Sequence, residues 1–312
     1  MRIKPIYVEL DMNVSLDELW AHTQKPELHE QWDLRFSKIN YLPRTNEKDK
    51  QKFLYQTRIG FGLHIAGTGE TSSTTRNLTD ERLSTLSFAS KQPISFIRKG
   101  SGYWQYKRNG NAVTFITKYD YQTQFGLAGR LFDRFLFRPL FGYATAWSFD
   151  RLRIWLEERI PPSIIAERAL IHYVSVFILL LLWCYEGLVP KLLFPETGEL
   201  DMMRQIGWFD GMERIMVQLL GVGEIVFGLL TAYWHRSRRS AGMQIVLLTL
   251  LAIVGIICRP ELLNSPFHPL TLSVPMIGLC MASYWTRRFL PNARRCKRKT
   301  PGTDLVMRRN SK

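Results

Sequence analysis

Two carboxylates lie inside long apolar runs of this sequence, where an ionised side chain is costly. Glu224 falls about ten residues into the run Ile215–Trp234, and Glu186 falls near the end of the run Ala169–Leu188. A charge at the centre of a membrane helix costs about 2.5–3.5 kcal/mol on insertion scales, so such a residue indicates a functional site by default. Lys191 follows soon after Glu186 and is the cation expected to pair with one of these two acids.

The spacing around Glu224 leaves two interpretations open. Gly221 and Gly228 lie three and four residues away, so all three residues share one helix face. Small residues on such a face allow a neighbouring helix to pack closely. Glu224 then either makes only a packing hydrogen bond or takes part in ligand binding or proton transfer. The same alternatives apply to Glu186, which is close enough to the end of its run to reach water.

A second group of candidate residues consists of aromatic side chains in the first half of the chain. Successive side chains of a strand point to opposite faces. In the run AVTFITKYDYQT, Lys118 and Asp120 mark the wet face, so the aromatic residues of opposite parity point inward. The same reasoning on two further runs completes an inward-facing set: Tyr55, Trp104, Tyr106, Phe115, Tyr119 and Tyr121. An apolar surface with a few hydroxyls is typical of a small-molecule pocket, and a filled aromatic core is the alternative.

Side chains with catalytic spacing are few. His22, His29 and His64 are scattered, with no nucleophile motif or metal-ligand spacing around them. The four cysteines form no C-x-x-C pair, which argues against a zinc site or a dithiol redox centre. The run IGFGLHIAGTG is rich in glycine but lacks the strand-to-helix context of a dinucleotide site. We therefore predict no metal and no cofactor, and the sequence leaves enzymatic activity open.

Long apolar runs dominate the second half of the chain. A bilayer core about 30 Å thick needs about 20 apolar helical residues to cross it. Four runs approach this length: Ala169–Leu188, Ile215–Trp234, Ala241–Cys258 and Pro266–Trp285. The fourth is interrupted by Pro269 and Pro275. Four such runs separated by short polar loops predict four transmembrane helices.

The basic residues are distributed unevenly between the loops. The HRSRRS loop after the second run carries three arginines and no acid, and the chain from Arg287 onward carries ten Lys or Arg against the single Asp304. Basic loops stay in the cytoplasm, so both termini are expected there, in a multi-pass protein of the inner (plasma) membrane. The N-terminus lacks the apolar core of a signal peptide. Membrane orientation accounts for the net charge of +15, and nucleic acid is not an expected partner.

Two strings of the second half resemble a known family. WCYEGLVPKLLFP (Trp183–Pro195) and GVGEIVFGLL (Gly221–Leu230) are similar to the DoxX-like family of small four-helix bacterial membrane proteins. The resemblance covers roughly residues 165–290. Some members of the wider family are associated with oxidoreductase complexes and quinone chemistry, so the resemblance implies oxidoreductase proteins as possible partners. The lack of paired cysteines disfavours thiol chemistry.

The order of elements in the first half is also informative. IYVELDMN alternates as a strand, and Ser15 with Glu18 forms a capping box that opens a helix. A second short helix, PELHEQWD, is followed by several strand-like runs with a hairpin turn at Gly110. A long helix from Leu127 to about residue 158 closes this half, with an interruption expected at Pro139.

This order resembles the START-like (SRPBCC) superfamily, which includes polyketide cyclases and lipid-transfer domains. The strings PELHEQWDLRFSKI and GRLFDRFLFRPLFGYATAWSFDRLRIWLE carry the resemblance, which covers residues 1 to about 158. It implies an α+β helix-grip fold, in which a sheet wraps around the closing helix and leaves an apolar cavity between them.

Together these observations predict three segments. Residues 1–160 form a cytoplasmic START-like helix-grip domain, residues 165–290 an all-α bundle of four transmembrane helices, and residues 291–312 a basic cytoplasmic tail. The expected function is binding of a lipid or another hydrophobic small molecule next to the membrane bilayer. Two alternatives remain open: a membrane component of an oxidoreductase system that uses a quinone-like lipid, and an enzyme of the cyclase or dehydratase type.

Overall fold

Two folded units make up the chain. The computed structural model describes residues 4–44, 46, 49–76, 81–207, 209–258, 260–264 and 269–300. The first unit contains Met1–Ile165 together with Pro291–Lys312, and the second contains Ala166–Leu290.

Alternating side chains build an antiparallel seven-stranded sheet in the first unit, as the sequence predicted. The strands are β1 (Ile6–Met12), β2 (Lys38–Tyr41), β3 (Gln51–Gly60), β4 (Leu63–Arg76), β5 (Glu81–Ala89), β6 (Ile97–Asn109) and β7 (Ala112–Thr123). Strands β2 to β7 follow one another across the sheet in chain order, and β1 returns to pair with β7. Phe115 lies opposite both Leu10 and Tyr106, so inward side chains of three neighbouring strands form one apolar layer.

Two short helices connect the first two strands. They are α1 (Leu16–Gln24) and α2 (Pro26–Trp32). The Ser15 hydroxyl accepts a hydrogen bond from the backbone N–H of Glu18 at 3.2 Å, which confirms the predicted helix start. The Trp32 side chain is fully buried and anchors α2 to the core of the unit.

The closing helix runs from the end of β7 to residue 158 without a break. It consists of α3 (Gly126–Phe132), a π-helical turn (Asp133–Phe137) and α4 (Arg138–Glu158). The interruption predicted at Pro139 is therefore a widened turn rather than a helix end. Proline lacks an N–H and crowds the carbonyl four residues before it. A π-helical turn directly before Pro139 changes the hydrogen-bond pattern where this crowding would occur.

The closing helix packs against the inward face of the sheet. The Phe115 ring stacks on that of Phe149, with 4.3 Å between centroids and 11° between planes. Trp32 contacts both rings at an angle. Full burial of one such side chain contributes about 1.5–3 kcal/mol, so this aromatic cluster is a main source of stability for the helix-grip arrangement.

A segment after the last apolar helix completes the first unit. Lys297 and Glu9 exchange two backbone hydrogen bonds of 2.9 Å, which extend the sheet beyond β1. The backbone N–H of Asn292 donates to the buried carboxylate of Asp150 at 2.6 Å, and the thiol of Cys296 lies against α4. The sequence indicated a separate tail from residue 291, whereas these contacts make residues 292–297 part of the folded unit.

The second unit is helical. Its elements are α5 (Pro162–Glu186, which begins in the first unit), a π-helical segment (Gly187–Leu193), α6 (Glu199–Ile206), α7 (Glu213–Tyr233), α8 (Arg238–Cys258) and α9 (Pro269–Thr286). Three helical stretches are long and apolar enough to cross a membrane: Pro162–Leu193, Glu213–Tyr233 and Arg238–Ile257. The described apolar part of α9, Leu270–Thr286, is shorter. Three of the four predicted spans thus have the length and composition needed to cross a membrane, and the predicted start of the fourth at Pro266 lies outside the described residues.

Glycines bring two of these helical stretches into close contact, as predicted. A Cβ atom added to Gly221 would lie 2.6 Å from the carbonyl oxygen of Gly187, and one added to Gly228 would lie 2.6 Å from the Cβ of Trp183. Neither position has room for a larger side chain. The glycine face of α7 therefore packs directly on the end of α5 and the π-helical segment.

Candidate functional site

A pocket of about 260 Å³ lies in the first unit between the sheet and the closing helix. Its walls come from strands β3 to β7, the loop before β6, and the closing helix near Phe137 and Phe141. Most of the wall is apolar. A larger depression of about 850 Å³ is more open and is lined in part by charged side chains such as Lys52 and Glu70. The enclosed apolar pocket is the better candidate for a small-molecule site.

The predicted inward-facing aromatic residues are all buried, but the pocket brings only half of them together. Tyr55, Trp104 and Tyr119 line the pocket. The other three are not part of its wall: Tyr106, Phe115 and Tyr121. A role of any of the six in ligand binding stays a prediction.

The remaining three aromatic residues fill the space around the pocket. The Tyr106 ring stacks on Phe115 at 4.9 Å, and its hydroxyl lies 2.7 Å from that of Thr23. The Tyr121 hydroxyl donates to the buried carboxylate of Asp133 at 2.7 Å. A filled aromatic core and a cavity, which the sequence left as alternatives, therefore occupy different parts of the same interior.

A buried ion pair forms part of the pocket wall. Arg35 donates from Nε and Nη2 to the two carboxylate oxygens of Asp33, at 2.9 and 2.6 Å, and His29 Nε2 lies 3.0 Å from Asp33 Oδ2. Burial alone would raise the pKa of Asp33, but the Arg35 guanidinium and the His29 hydrogen bond hold that pKa well below its usual range. The sequence analysis missed this pair, although its i, i+2 spacing was a local signal.

Tyr55 is one of the pocket-wall residues that carry a hydroxyl. This hydroxyl forms no hydrogen bond to another described residue, and Tyr55 is 7% exposed. Burial raises the pKa of Tyr55 to about 12, so the hydroxyl stays protonated at neutral pH. A ligand oxygen placed against it would gain a hydrogen bond.

A second polar cluster lies in the second unit and contains the predicted intramembrane residues. Lys191 Nζ lies 3.1 Å from Glu224 Oε2 and 3.2 Å from Glu199 Oε1. It also donates to the backbone carbonyl of Glu186 at 3.4 Å. Of the two acids that the sequence offered as partners of Lys191, Glu224 forms the ion pair. Glu186 accepts a hydrogen bond from Lys191 through its backbone carbonyl. Glu199 was not predicted, because it comes from α6, outside the apolar runs.

The contact between Lys191 and Glu224 is an ion pair with poor hydrogen-bond alignment, since Glu224 Oε2 accepts no hydrogen bond from the described residues. Lys191 is 7% exposed. It lies on the π-helical segment, directly after Pro190. Such turns are frequent at functional sites.

A histidine pair in the second unit was also missed. His172 is fully buried in α5, with Nε2 2.8 Å from His235 Nδ1 and Nδ1 2.9 Å from the carbonyl oxygen of Ser283. These partners are far apart in sequence. A histidine inside an apolar run was the signal that a polar partner would be found. Among the described residues, no group of three His, Cys, Asp or Glu side chains is arranged to hold a metal ion.

Comparison with known proteins places this chain in a family. It is 46% identical over 228 residues to a protein named uncharacterized membrane protein YndG from Bacillus subtilis (strain 168), over 73% of this chain and 84% of that protein. The chain belongs to the YndG family of membrane proteins. Residues 180–281 also match the DoxX-like family model, and they include the Lys191 cluster. The second unit therefore contains a DoxX-like domain, as the sequence predicted.

Several solved structures are similar to the first half of the chain. A START superfamily protein from Mycobacterium smegmatis is 12% identical, with a TM-score of 0.37 over 51% of this chain and 100% of that chain. A STAR-related lipid transfer protein from Xanthomonas axonopodis is 11% identical, with a TM-score of 0.35 over 44% of this chain and 78% of that chain. The helix-grip architecture itself follows from the strand order and the closing helix of this chain.

Proposed function

We propose that the first unit binds a lipid or another hydrophobic small molecule next to the membrane. The observation that supports this is the enclosed apolar pocket with the Tyr55 hydroxyl in its wall. Ligand pockets usually have volumes of about 300–1,000 Å³. The pocket, at about 260 Å³, is near the lower end of this range and suits one acyl chain or a compact ring system. The ligand would place a hydrogen-bond acceptor against Tyr55.

We infer the location of the first unit beside the membrane from two features. One is the apolar helices of the second unit, and the other is the hydrogen bonds that residues 292–297 form within the first unit. Residues before the helices and residues 292–297 after them are hydrogen-bonded within one folded unit. They must therefore lie on one side of the bilayer, which requires an even number of crossings between them. The α9 helix of 18 residues is about 27 Å long and would be the fourth crossing. The basic loops put the first unit in the cytoplasm, at the inner (plasma) membrane.

The pocket is tested by filling it in the full-length protein. Ile65 of β4 lines the pocket, whereas its neighbour His64 is exposed. The Ile65→Trp variant should lose labelling by a photoreactive fatty acid at peptides of β3 and β7, with the protein in nanodiscs. The His64→Trp variant adds the same ring outside the pocket and should label like the parent. Equal labelling of both variants, or no labelling of the parent by apolar probes of several sizes, would contradict the proposal.

A second candidate function is favoured by the Lys191 cluster in the DoxX-like domain. A buried ammonium between two carboxylates can bind a polar headgroup or pass on a proton. The second unit would then handle a quinone-like redox lipid for an oxidoreductase partner. A photoreactive quinone should label the π-helical segment, and Glu224→Gln should reduce this labelling without changing the amount of assembled protein. Labelling only of the first unit would instead favour a cyclase- or dehydratase-type or carrier role for the pocket.

A further inference from the structure

Two helical stretches of the second unit contact each other at three levels. One is α7 with the turn after it, and the other is α5 with the π-helical segment. The contacts between them are His172 with His235, Trp183 with Gly228, and Lys191 with Glu224. Glu224, Gly228 and His235 follow one face of α7, at spacings of four and seven residues. Polar pairs therefore lie at the two ends of this line of contacts, and an aromatic side chain lies between them.

The histidine pair is arranged to pass a proton. Burial lowers the pKa of His235 to about 4, so this ring is neutral at pH 7. The carbonyl oxygen of Ser283 can only accept, so Nδ1 of His172 donates to it at 2.9 Å, and Nε2 of His172 accepts from Nδ1 of His235 at 2.8 Å. The Ser283 hydroxyl lies 3.2 Å from the same Nδ1. An imidazole can take up a proton at one nitrogen while it releases another from the second. A proton that reaches Nε2 of His235 can therefore continue through both rings to Ser283.

A small polar cavity borders the histidine pair. Its volume is about 10 Å³, which is room for one water molecule. Side chains of α5, α8, α9 and the end of α7 form its wall. The polar residues of this wall are Thr231, His235, Ser240, Gln244 and Ser283. Because Ser283 belongs both to the histidine network and to the wall, a proton passed through the pair arrives at the cavity.

Trp183 separates this cavity from the ion pair of Glu224. Gly228 lies between Thr231 and Glu224 on the face of α7, and a Cβ atom added to Gly228 would lie 2.6 Å from the Cβ of Trp183. The Trp183 side chain is buried, and its Nε1–H donates to Gln244 Oε1 at 3.1 Å. Thr231 and Glu224 are about 10 Å apart along the helix axis, which is too far for a direct hydrogen bond. The indole therefore blocks proton transfer between the two polar ends.

We propose that the second unit contains a gated proton path, with the histidine pair and its cavity at one end, Glu224 and Lys191 at the other, and Trp183 as the gate. Acidic and histidine side chains inside membranes form proton relays. His235 lies next to the basic loop, so the proposed topology puts its end in the cytoplasm. At the other end, Glu199 of α6 lies 3.2 Å from Lys191 and connects the ion pair with the opposite side.

This path shares the Lys191 cluster with the second candidate function and rests on it to that extent. The two can fail separately, because proton flow is measured without a quinone. Quinone labelling without proton flow would leave the redox role intact and remove the path. Proton flow without labelling would support the path and remove the quinone.

The test measures proton flow through the full-length protein in liposomes that contain a pH-sensitive dye. A potassium gradient with valinomycin supplies the driving force. The closed gate of the parent should keep the flow close to that of liposomes without protein. Trp183→Ala removes the indole and should raise the flow several-fold. Leu248→Ala is the matched control, because it removes a buried side chain of α8 from the same apolar cluster and leaves the contact between α5 and α7 in place. Its flow should match that of the parent.

Second substitutions decide whether the flow uses the proposed path. In the Trp183→Ala background, either Glu224→Gln or His235→Phe should return the flow to the parent level. His64→Phe changes an exposed histidine of the first unit and should have no effect. Flow in Trp183→Ala that is no faster than in the parent would overturn the proposal. Fast flow that Glu224→Gln and His235→Phe leave unchanged would overturn it as well, because it would be a non-specific leak.

Trp183→Phe covers the case in which Trp183→Ala does not assemble. It keeps an aromatic ring against Gly228 but is smaller and lacks the N–H that binds Gln244. We expect its flow to exceed that of the parent and to depend on Glu224 and His235 in the same way. Parent-like flow in an assembled Trp183→Phe protein, with Trp183→Ala unable to assemble, would assign Trp183 to packing alone and overturn the gate.

Discussion

The buried pair of Asp33 and Arg35 shows at the residue scale how an apolar pocket can contain charge. Each carboxylate oxygen of Asp33 accepts from Arg35, and His29 contacts one of them as well. Breaking such a buried pair costs about 3–5 kcal/mol, because the remaining charge is left without a partner. Arg35 in the pocket wall is therefore held in place by Asp33, whereas the Tyr55 hydroxyl of the same wall forms no hydrogen bond to a described residue.

The pH dependence of stability should reflect Asp33. Its pKa is lowered in the folded state, so it stabilises the fold at every pH above its unfolded value of about 3.9. This stabilisation disappears as the pH falls from about 5 toward the folded-state pKa. We expect Asp33→Asn to be less stable at pH 7 and to lose less stability on acidification than the parent. Thermal melting of the full-length protein, followed by limited proteolysis of the first unit, measures both effects.

Asp11 provides the control for this comparison. It is exposed on β1, so Asp11→Asn removes a carboxylate from the same unit without breaking a buried ion pair. If Asp33→Asn and the parent lose equal stability between pH 7 and about pH 2, the assignment of the acid sensitivity to Asp33 is wrong.

Glu224 is the second residue whose role can be separated into structure and function. Replacing it with leucine leaves Lys191 buried with Glu199 as its remaining ion-pair partner. We expect Glu224→Leu to lower the yield and melting temperature of the assembled protein, by up to about 3 kcal/mol in stability. Glu224→Gln retains a polar side chain and should assemble nearly normally. Adding Lys191→Met to Glu224→Leu should restore much of the stability, because it removes the buried ammonium that has lost one of its two carboxylate partners.

Glu213 at the start of α7 serves as the matched control, since Glu213→Gln changes the same group outside the cluster. A Glu224→Leu variant that assembles and melts like the parent would show that the cluster does not stabilise the second unit. Size-exclusion chromatography and thermal melting in detergent are sufficient for this comparison.

At the scale of elements, the segment after α9 is the part whose role only the structure reveals. It contributes a strand-like bridge to β1 and a hydrogen bond to the buried Asp150 of α4. A chain that ends at residue 290 leaves this buried carboxylate without the Asn292 N–H. We expect faster proteolysis of the first unit in this truncated chain, and a melting temperature lower by several degrees.

A chain that ends at Thr300 retains all of these contacts and is the control. It should be digested at the same rate as the full-length protein. If truncation at 290 leaves the proteolysis rate unchanged as well, the segment is only an attached tail, as the sequence alone indicated.

At the scale of the whole molecule, the proposed topology has four crossings and both termini in the cytoplasm. A reporter that is active only in the cytoplasm should work when fused at residue 1, near Arg238 and after residue 312. It should be silent when fused near Glu199. Both expectations follow from the four crossings that we propose and from the basic loops. Activity at Glu199 or silence at the C-terminus would contradict four crossings.

The sequence by itself determined the types of elements and their inward faces. The alternation along β7 and the cap at Ser15 are local features, and the structure confirms them. The long apolar runs are also local, because crossing a membrane depends on the length and composition of each helix. The resemblance to the DoxX-like family was visible for the same reason, since it rests on short strings around Glu186 and Glu224.

The tertiary structure alone decided which inward residues line a cavity. Tyr106 and Phe115 have the same parity pattern as Tyr55 and Tyr119. Yet Tyr106 packs against α1 and Phe115 against Phe149 of α4, whereas the other two face the pocket. The difference depends on where α1 and the closing helix cross the sheet, which no strand encodes. Contacts between residues far apart in sequence, such as Asn292 with Asp150, cannot be predicted from the sequence for the same physical reason. Their partners are chosen by packing across the fold, whereas periodicity reports only on each element by itself.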